Sequence, residues 1–313
     1  MNNTQSYMIN APKMILLVGL PGSGKSTYAE KLKEEGVIVH SSDKIREELG
    51  DVNDQSKNEE VFKILHKRIK DDLKSGKSVA YDATSLNRRR RISFLRELQN
   101  ISCKKICVLV ATPFEECLKQ NNKRDRKVPE EVIWRMYKSF NVPCEQEGFD
   151  ELIVYYPKEE WKEYYGDCSR HINELRSFDQ ENHHHTLTLG DHMKKAGNYI
   201  LAQNTGEWSD VVYAAYTHDI GKVDTKEFKN GKGETTEEAH YFNHHCVGSY
   251  KSLFFGYPSG VNKMYISLLI ELHMKPYLEW SQSEKTKEKD RKLFGDKVFD
   301  DVMLLHEADL WAH

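Results

Sequence analysis

The feature that most constrains this chain is the run Gly19-Leu20-Pro21-Gly22-Ser23-Gly24-Lys25-Ser26-Thr27. It follows five apolar residues, Met14 to Val18, and precedes a stretch of helical composition, Tyr28 to Lys33. Apolar strand, glycine-rich turn, then helix is the setting in which G-x-x-x-x-G-K-[ST] has a physical meaning. Gly22 and Gly24 let the backbone curl around phosphate oxygens with its N–H groups pointing inward at a helix N-terminus. Lys25 would neutralise β- and γ-phosphate charge, and the Ser26 hydroxyl would ligate Mg²⁺. Gly22, Ser23, Gly24, Lys25, Ser26 and Thr27 are thus expected to bind ATP or another nucleoside triphosphate.

The rest of the first half repeats the same rhythm. Short β-branched runs at 14–19, 37–41, 78–83, 105–111 and 151–155 alternate with amphipathic stretches such as Val61, Leu65, Ile69 and Leu73, which recur at helical spacing and end at Gly76. This predicts a parallel α/β sheet with flanking helices, whose ligands sit beyond the carboxyl ends of the strands. Beyond residue 178 no β-alternation stands out, and an all-α domain is expected, with helices at 188–203, 208–218, 235–255, 261–273 and 297–308. The expected division is 1–155, a linker at 156–177, and 178–313, with Ser281 to Lys292 as a charged exposed loop.

Composition limits the setting. The 313 residues suffice for two cores, and a net charge of −3 means that a nucleic-acid partner must be argued from local patches. Six scattered cysteines make no C-x-x-C, no apolar run reaches the ~20 residues of a membrane span, and the N-terminus has no secretory pattern. A reducing cytoplasm and no membrane partner are the expectation.

Residues just past the strand ends carry the first half's chemistry. Asp43, one turn from Arg46, suits a base that accepts a hydroxyl proton beside a phosphate clamp; the competing reading is a helix cap at Ser42 or Asp43. Asp82 suits Mg²⁺ or its water, against a second capping reading. Arg88 to Arg91 read either as a solvated helix start or as anion contacts. The basic stretch 121–129, with Arg124 and Arg126, reads either as a lid over the triphosphate or as a solvated connection.

In the second half, His185, the pair His218-Asp219, the dense cluster His240 to His245, and Asp309 follow in order, and twelve of the fourteen histidines lie from residue 171 onward. Neutral imidazoles and carboxylates in one pocket suit a hard or borderline divalent ion.

The ordered set G-x-P-G-S-G-K-S-T, Asp43-x-x-Arg46, Asp82-x-Thr84-x-Leu86-Asn87-x-x-Arg90 and a basic lid ending in Val128-Pro129 resembles the kinase half of the phage-type polynucleotide kinases over residues 12–155. That resemblance implies Asp43 as general base on a 5′-hydroxyl, Arg46 on the phosphate next to the acceptor nucleoside, and Arg124 and Arg126 as lid arginines on the phosphate donor. The spacing from the lid arginines to Val128-Pro129 departs from the family pattern. The series H…HD…H…D, with H-T-L-T-L and H-D-I-G-K, resembles the HD phosphohydrolase superfamily over residues 178–313. It implies His185, His218, Asp219 and Asp309 as ligands of a divalent transition metal such as Mn²⁺, Ni²⁺ or Co²⁺. It also implies His244 and His273 as further histidines of a two-metal or phosphate-clamping site, with His240 and His245 as rivals to His244, and Lys222 on a substrate phosphate.

Together the resemblances imply a bifunctional end-healing enzyme. It would phosphorylate 5′-OH ends of RNA or DNA and remove 3′-phosphate or 2′,3′-cyclic phosphate, with a nucleic-acid ligase downstream left open as a partner. The rivals are a small-molecule kinase fused to a nucleotidase and a non-catalytic nucleotide-sensing module.

Overall fold

A computed structural model describes residues 11–50, 56–183 and 186–313. The chain falls into two compact units. One comprises Met1–Pro129 and Glu147–Pro157, the other Glu130–Gln146 and Lys158–His313.

The first unit is built on a five-stranded, all-parallel sheet: β1 (Lys13–Val18), β2 (Ile38–Ser41), β3 (Val79–Asp82), β4 (Lys104–Val110) and β5 (Glu151–Tyr155), in the order β2-β3-β1-β4-β5. These are the five runs expected as strands. β1 lies at the centre, and Met14 to Val18 are all buried, as a strand covered on both faces requires. On one face Ile15, Leu17, Ala80, Val108 and Val110 pack against Ala29 and Leu32 of helix α1 (Lys25–Glu34). On the other, Tyr81 meets Phe94 edge to face, with ring centroids 4.9 Å apart, and Phe94 lies 4.4 Å from the His66 ring. His66 belongs to α3 (Asn58–Lys74) and Phe94 to α4 (Arg88–Glu97); the short α2 (Ser42–Glu48) precedes them. Two sheet faces and two helical covers account for the hydrophobic pattern. The unit also contains α5 (Phe114–Asn122).

The second unit is mostly helical: α6 (Glu130–Tyr137), α7 (Cys168–Glu174), α8 (Leu189–Gln203), α9 (Asp210–Thr217), the single turn α10 (Lys222–Thr225), α11 (His244–Ser252), α12 (Lys263–Leu272), α13 (Glu284–Phe294) and α14 (Asp296–Ala312). Helices at 188–203, 208–218, 261–273 and 297–308 stand close to the expected bounds.

Three expectations need correction. Residues 235–240 are a strand, β7 (Thr235–His240), antiparallel to β6 (Glu227–Lys229), so the expected helix 235–255 begins only at His244. Asn230-Gly231 is the turn signal that should have warned of a hairpin: the Asn230 carboxamide accepts from the N–H groups of Lys232 and Glu234. Residues 284–294, expected as part of an exposed loop, form α13, started by Ser283, whose side chain accepts from Thr286 N–H. The expected linker 156–177 holds a 3₁₀ turn at Glu159–Glu163, with Trp161 buried, and helix α7; from Lys158 onward it belongs to the second unit. The helix α6, on the other side of the expected cut, belongs there too.

Candidate functional sites

In the first unit the loop after β1 turns sharply through Gly22 (φ +81°) and Gly24 (φ +93°), both left-handed. At Gly22 even a methyl group is excluded, because a Cβ would sit 2.2 Å from the Cys117 carbonyl oxygen. Gly24 caps α1, so the free N–H groups of that helix open onto the loop. Lys25 is buried and donates to the carbonyls of Gly19 (2.9 Å) and Leu20 (2.8 Å). Burial lowers it to about 8, although the Asp82 carboxylate pulls the other way. Ser26 and Thr27 are exposed at the helix start, while Ser23 is buried and its carbonyl accepts from Thr112 Oγ1 (2.8 Å).

Asp43 lies in the first turn of α2, and the helix cap is Ser41. Its carboxylate is not spent on capping. One oxygen accepts from Arg46 Nη1 at 2.9 Å, and the other is 3.2 Å from Arg126 Nη1. Arg46 is buried and also donates to Asn58 Oδ1 (2.7 Å), and its Nε has no partner among the described residues. Asp82 ends β3 beside Ser41 in register, and Ser41 hydrogen-bonds to it. It is no cap either, since Asn87 caps α4. Burial raises Asp82, and Lys25 opposes that rise.

The lid stretch is clamped at its base. Asn121 donates to Val128 O (2.8 Å) and accepts from Val128 N–H (3.0 Å), closing the loop that carries Arg124 and Arg126. Arg126 reaches Asp43, and Arg124 is near enough to lower Lys25. The arginine run 88–91 divides. Arg88 and Arg91 are buried on Glu147, whose carboxylate accepts from Arg91 Nε (2.6 Å) and Nη2 (2.7 Å), so these two serve the fold. Arg89 and Arg90 face solvent.

The second unit brings two groups of metal-ligating side chains together around one carboxylate. His192, His218, Asp219 and Asp309 form the first; Asp219, His244 and His273 form the second; all are buried. Asp219 Oδ2 lies 3.3 Å from His192 Nε2 and 3.4 Å from His218 Nε2, while its Oδ1 lies 3.1 Å from His244 Nε2 and 3.6 Å from His273 Nε2. Asp309 Oδ1 is 3.1 Å from His192 and 3.4 Å from His218, and its Oδ2 accepts from Tyr277 OH (2.9 Å).

Local structure aims these rings. His218, His244 and His273 each donate Nδ1–H to the carbonyl three residues back, at Ala215, Tyr241 and Ile270, at 2.7–2.8 Å. Their Nε2 atoms are therefore left pointing inward, each to carry either a lone pair or a proton. His244 Nε2 and His273 Nε2 are 3.3 Å apart, two acceptors face to face. That arrangement is repulsive unless a cation or proton lies between them, so the residues fit a bound divalent ion. The same demand for positive charge shows in the electrostatics. Burial opposes charge on His218, yet Asp219 and Asp309 raise it to about 10. Burial would raise Asp219, but Lys222 and the neighbouring imidazoles hold it well below the usual carboxylate range.

Among the expected ligands, His218, Asp219, Asp309, His244 and His273 converge here, and His185 lies outside the described residues. His192 is the residue that sequence reasoning missed. It sits on the buried stripe of α8 with Leu189, Met193, Ala196 and Ile200, and a histidine on such a stripe was the available signal. Of the rivals to His244, His245 is held neutral by burial and by its neighbours His244 and His273, down to about 2, and His240 stacks on Phe242. Lys222, expected on a substrate phosphate, is 4% exposed and spends its ammonium on Asp219 Oδ2 (2.7 Å) and Gln180 Oε1 (3.0 Å). Gly221 makes the assembly possible, since a Cβ there would lie 2.1 Å from the His244 carbonyl oxygen.

Among the described residues, no helix is long and apolar enough to cross a membrane. A family model described as an AAA domain matches residues 14–143. The L-seryl-tRNA(Sec) kinase of Methanococcus maripaludis is 29% identical over 143 residues, 44% of this chain and 56% of that protein. A putative bifunctional polynucleotide kinase/RNA ligase of Autographa californica nuclear polyhedrosis virus is 28% identical over 160 residues, 45% of this chain and 23% of that protein. The chain thus spans just over half the length of the first relative and about a quarter of the second. A chain in the structure of the Pnkp1/Rnl/Hen1 RNA repair complex is 22% identical, with 43% of this chain and 45% of that one covered, at a TM-score of 0.38. For a gluconokinase from Sinorhizobium meliloti 1021 the figures are 15%, 47% and 83%, at a TM-score of 0.34. The P-loop portion of this chain is therefore related in sequence to proteins described as kinases.

Proposed function

We propose that this protein is a two-activity enzyme for nucleic-acid ends: an ATP- and Mg²⁺-dependent 5′-hydroxyl kinase in the first unit and a metal-dependent phosphohydrolase in the second. The observation that carries the reading is the pairing, in one chain, of a kinase-related P-loop with a buried two-lobed His/Asp cluster around Asp219. The viral relative's name, polynucleotide kinase/RNA ligase, supports a strand end as acceptor.

In the kinase unit Lys25 and the N-terminus of α1 bind phosphate, with Ser26 and Asp82 as the residues that would hold Mg²⁺. Asp43 accepts the proton of the attacking hydroxyl, and Arg46 orients the acceptor's phosphate. Arg126 meets Asp43 at 3.2 Å; its release is the step that frees both the base and a lid cation. In the second unit His192, His218, Asp219 and Asp309 would hold one divalent ion and Asp219, His244 and His273 a second. Such an ion supplies an activated water and polarises a phosphoryl oxygen. The chain's own part there is to fix the imidazole tautomers, to exclude bulk water and, through Lys222, to neutralise the shared carboxylate.

The kinase assignment is tested with Asp43→Asn: transfer of labelled γ-phosphate to a 5′-OH oligonucleotide should fall at least 10²-fold, in line with loss of a general base. Retained transfer would sink it. For the second unit, Asp219→Ala should abolish release of phosphate from 3′-phosphate or 2′,3′-cyclic phosphate ends. A second reading is favoured by the Methanococcus maripaludis relative, whose name is L-seryl-tRNA(Sec) kinase, so that the hydroxyl would be carried by an RNA-linked group. Competition between a 5′-OH oligonucleotide, a free nucleoside and an aminoacylated RNA decides between acceptors.

A further inference from the structure

The segment that leaves α12 reaches both lobes of the His/Asp cluster. α12 ends at Leu272, and Pro276, four residues on, has no N–H to return to the Leu272 carbonyl. The chain continues instead as a π-helical turn over Pro276–Trp280, in which the Ser281 N–H bonds five residues back to Pro276 O (3.1 Å). Tyr277 follows His273 by four residues, so the two side chains fall on one face of this segment. His273 Nε2 lies 3.6 Å from Asp219 Oδ1 in the second lobe, and Tyr277 OH donates to Asp309 Oδ2 (2.9 Å) in the first.

The turn is anchored on two neighbouring helices. Trp280 Nε1 donates to Asp290 Oδ2 of α13 (3.0 Å), and Lys275 Nζ lies 2.8 Å from the same oxygen. The Trp280 indole stacks on Phe299 of α14, with ring centroids 4.9 Å apart. The Tyr277 ring itself stands edge-on to the His306 ring of α14, at 4.3 Å and 81°. His306 precedes Asp309 by three residues, so the tyrosine's ring and its hydroxyl meet the same turn of that helix.

The hydroxyl decides which way Asp309 faces. The carboxylate is buried, and Tyr277 takes Oδ2 while Oδ1 is directed at His192 (3.1 Å) and His218 (3.4 Å). Two effects of that bond on metal binding oppose each other. A phenol donor draws electron density from the carboxylate and weakens it as a ligand, whereas fixing its rotation spares the ion the ordering cost. Orientation dominates at a buried site, because an Oδ2 stripped of its donor turns to the nearest cationic group, and the imidazoles of the lobe are beside it.

We infer that Tyr277 is a positioning residue of the first lobe: its hydroxyl holds Asp309 Oδ2 so that Oδ1 is presented to a divalent ion shared with His192, His218 and Asp219. The inference rests on the metal-holding reading of the cluster, and not on which phosphate ester is its substrate.

The test uses the full chain, stripped of metal by a chelator, as wild type, Tyr277→Phe and Tyr277→Leu. Mn²⁺ affinity is read from the paramagnetic resonance signal of the free ion, and ligand geometry from the visible absorption of bound Co²⁺. Tyr277→Phe keeps the ring on His306 and removes only the hydroxyl. It should weaken the binding of at least one Mn²⁺ ion about 10–100-fold and alter the Co²⁺ spectrum, with Tyr277→Leu doing little more. Unchanged affinity and spectrum in Tyr277→Phe overturn the inference. A loss confined to Tyr277→Leu overturns it too, because the effect then belongs to ring packing. Wild-type protein that takes up neither ion is a separate failure: it removes the metal-holding reading and the role of Tyr277 with it.

Discussion

Lys25 is the place where the structure makes a quantitative demand on nucleotide binding. Its ammonium is buried among loop carbonyls, and burial brings it down from 10.5 to about 8. A bound triphosphate favours the charged form and raises that value again, so above pH 8 binding must be accompanied by proton uptake. The sign follows directly. Below pH 8 the lysine is already charged and affinity is flat; above it, affinity falls, because each binding event first recharges Lys25. With a free-protein value of about 8, the deprotonation factor 1 + 10^(pH−pKa) is ~1 at pH 7 and ~11 at pH 9, so the Kd for ATP·Mg should rise roughly tenfold over that interval. The phosphate's own last ionisation, near ~6, is complete throughout. Titration calorimetry in buffers of different ionisation enthalpy measures both quantities, and nearly one proton should be taken up per ATP at pH 9. Lys25→Met should bind weakly with no such slope. A Kd that stays flat from pH 7 to 9.5 in the wild-type protein, with no proton uptake, would refute the reasoning.

Two further outcomes follow from groups that hold the sites in place. Glu147→Gln leaves Arg88 and Arg91 buried against a neutral amide and should cost about 3 kcal/mol in urea unfolding of the first unit, the usual penalty for breaking a buried ion pair from one side. Gly221→Ala drives a methyl group into the His244 carbonyl and the Gly248 N–H (2.1 and 2.6 Å); it should cost about 1–3 kcal/mol and lower the bound-metal content measured by plasma emission, because His244 is pushed off Asp219.

Much of the first unit was legible because its signals are local. The apolar strands, Gly22 and Gly24 at positions needing left-handed backbone, and Lys25 on the first turn of α1 are all set within a few residues of one another. Asp43 was legible as a candidate, but only the structure separates base from cap, since that depends on Arg46 and on a lid more than eighty residues downstream. The division within Arg88–Arg91 was hidden for the same reason: Glu147, which buries two of the four, is more than fifty residues away.

In the second unit the sequence by itself specified the residue types and their order: His218-Asp219, a histidine-rich stretch after 240, His273 and Asp309. Tertiary structure decided membership. Helix packing brings His192 to the first lobe and groups His244 with Asp219 and His273, and it sets the buried Lys222 ammonium against the Asp219 carboxylate. The physical reason is range. Backbone conformation is dictated by neighbours along the chain, whereas a converging set of lone pairs exists only once separate helices have packed, and no spacing along the chain records that convergence.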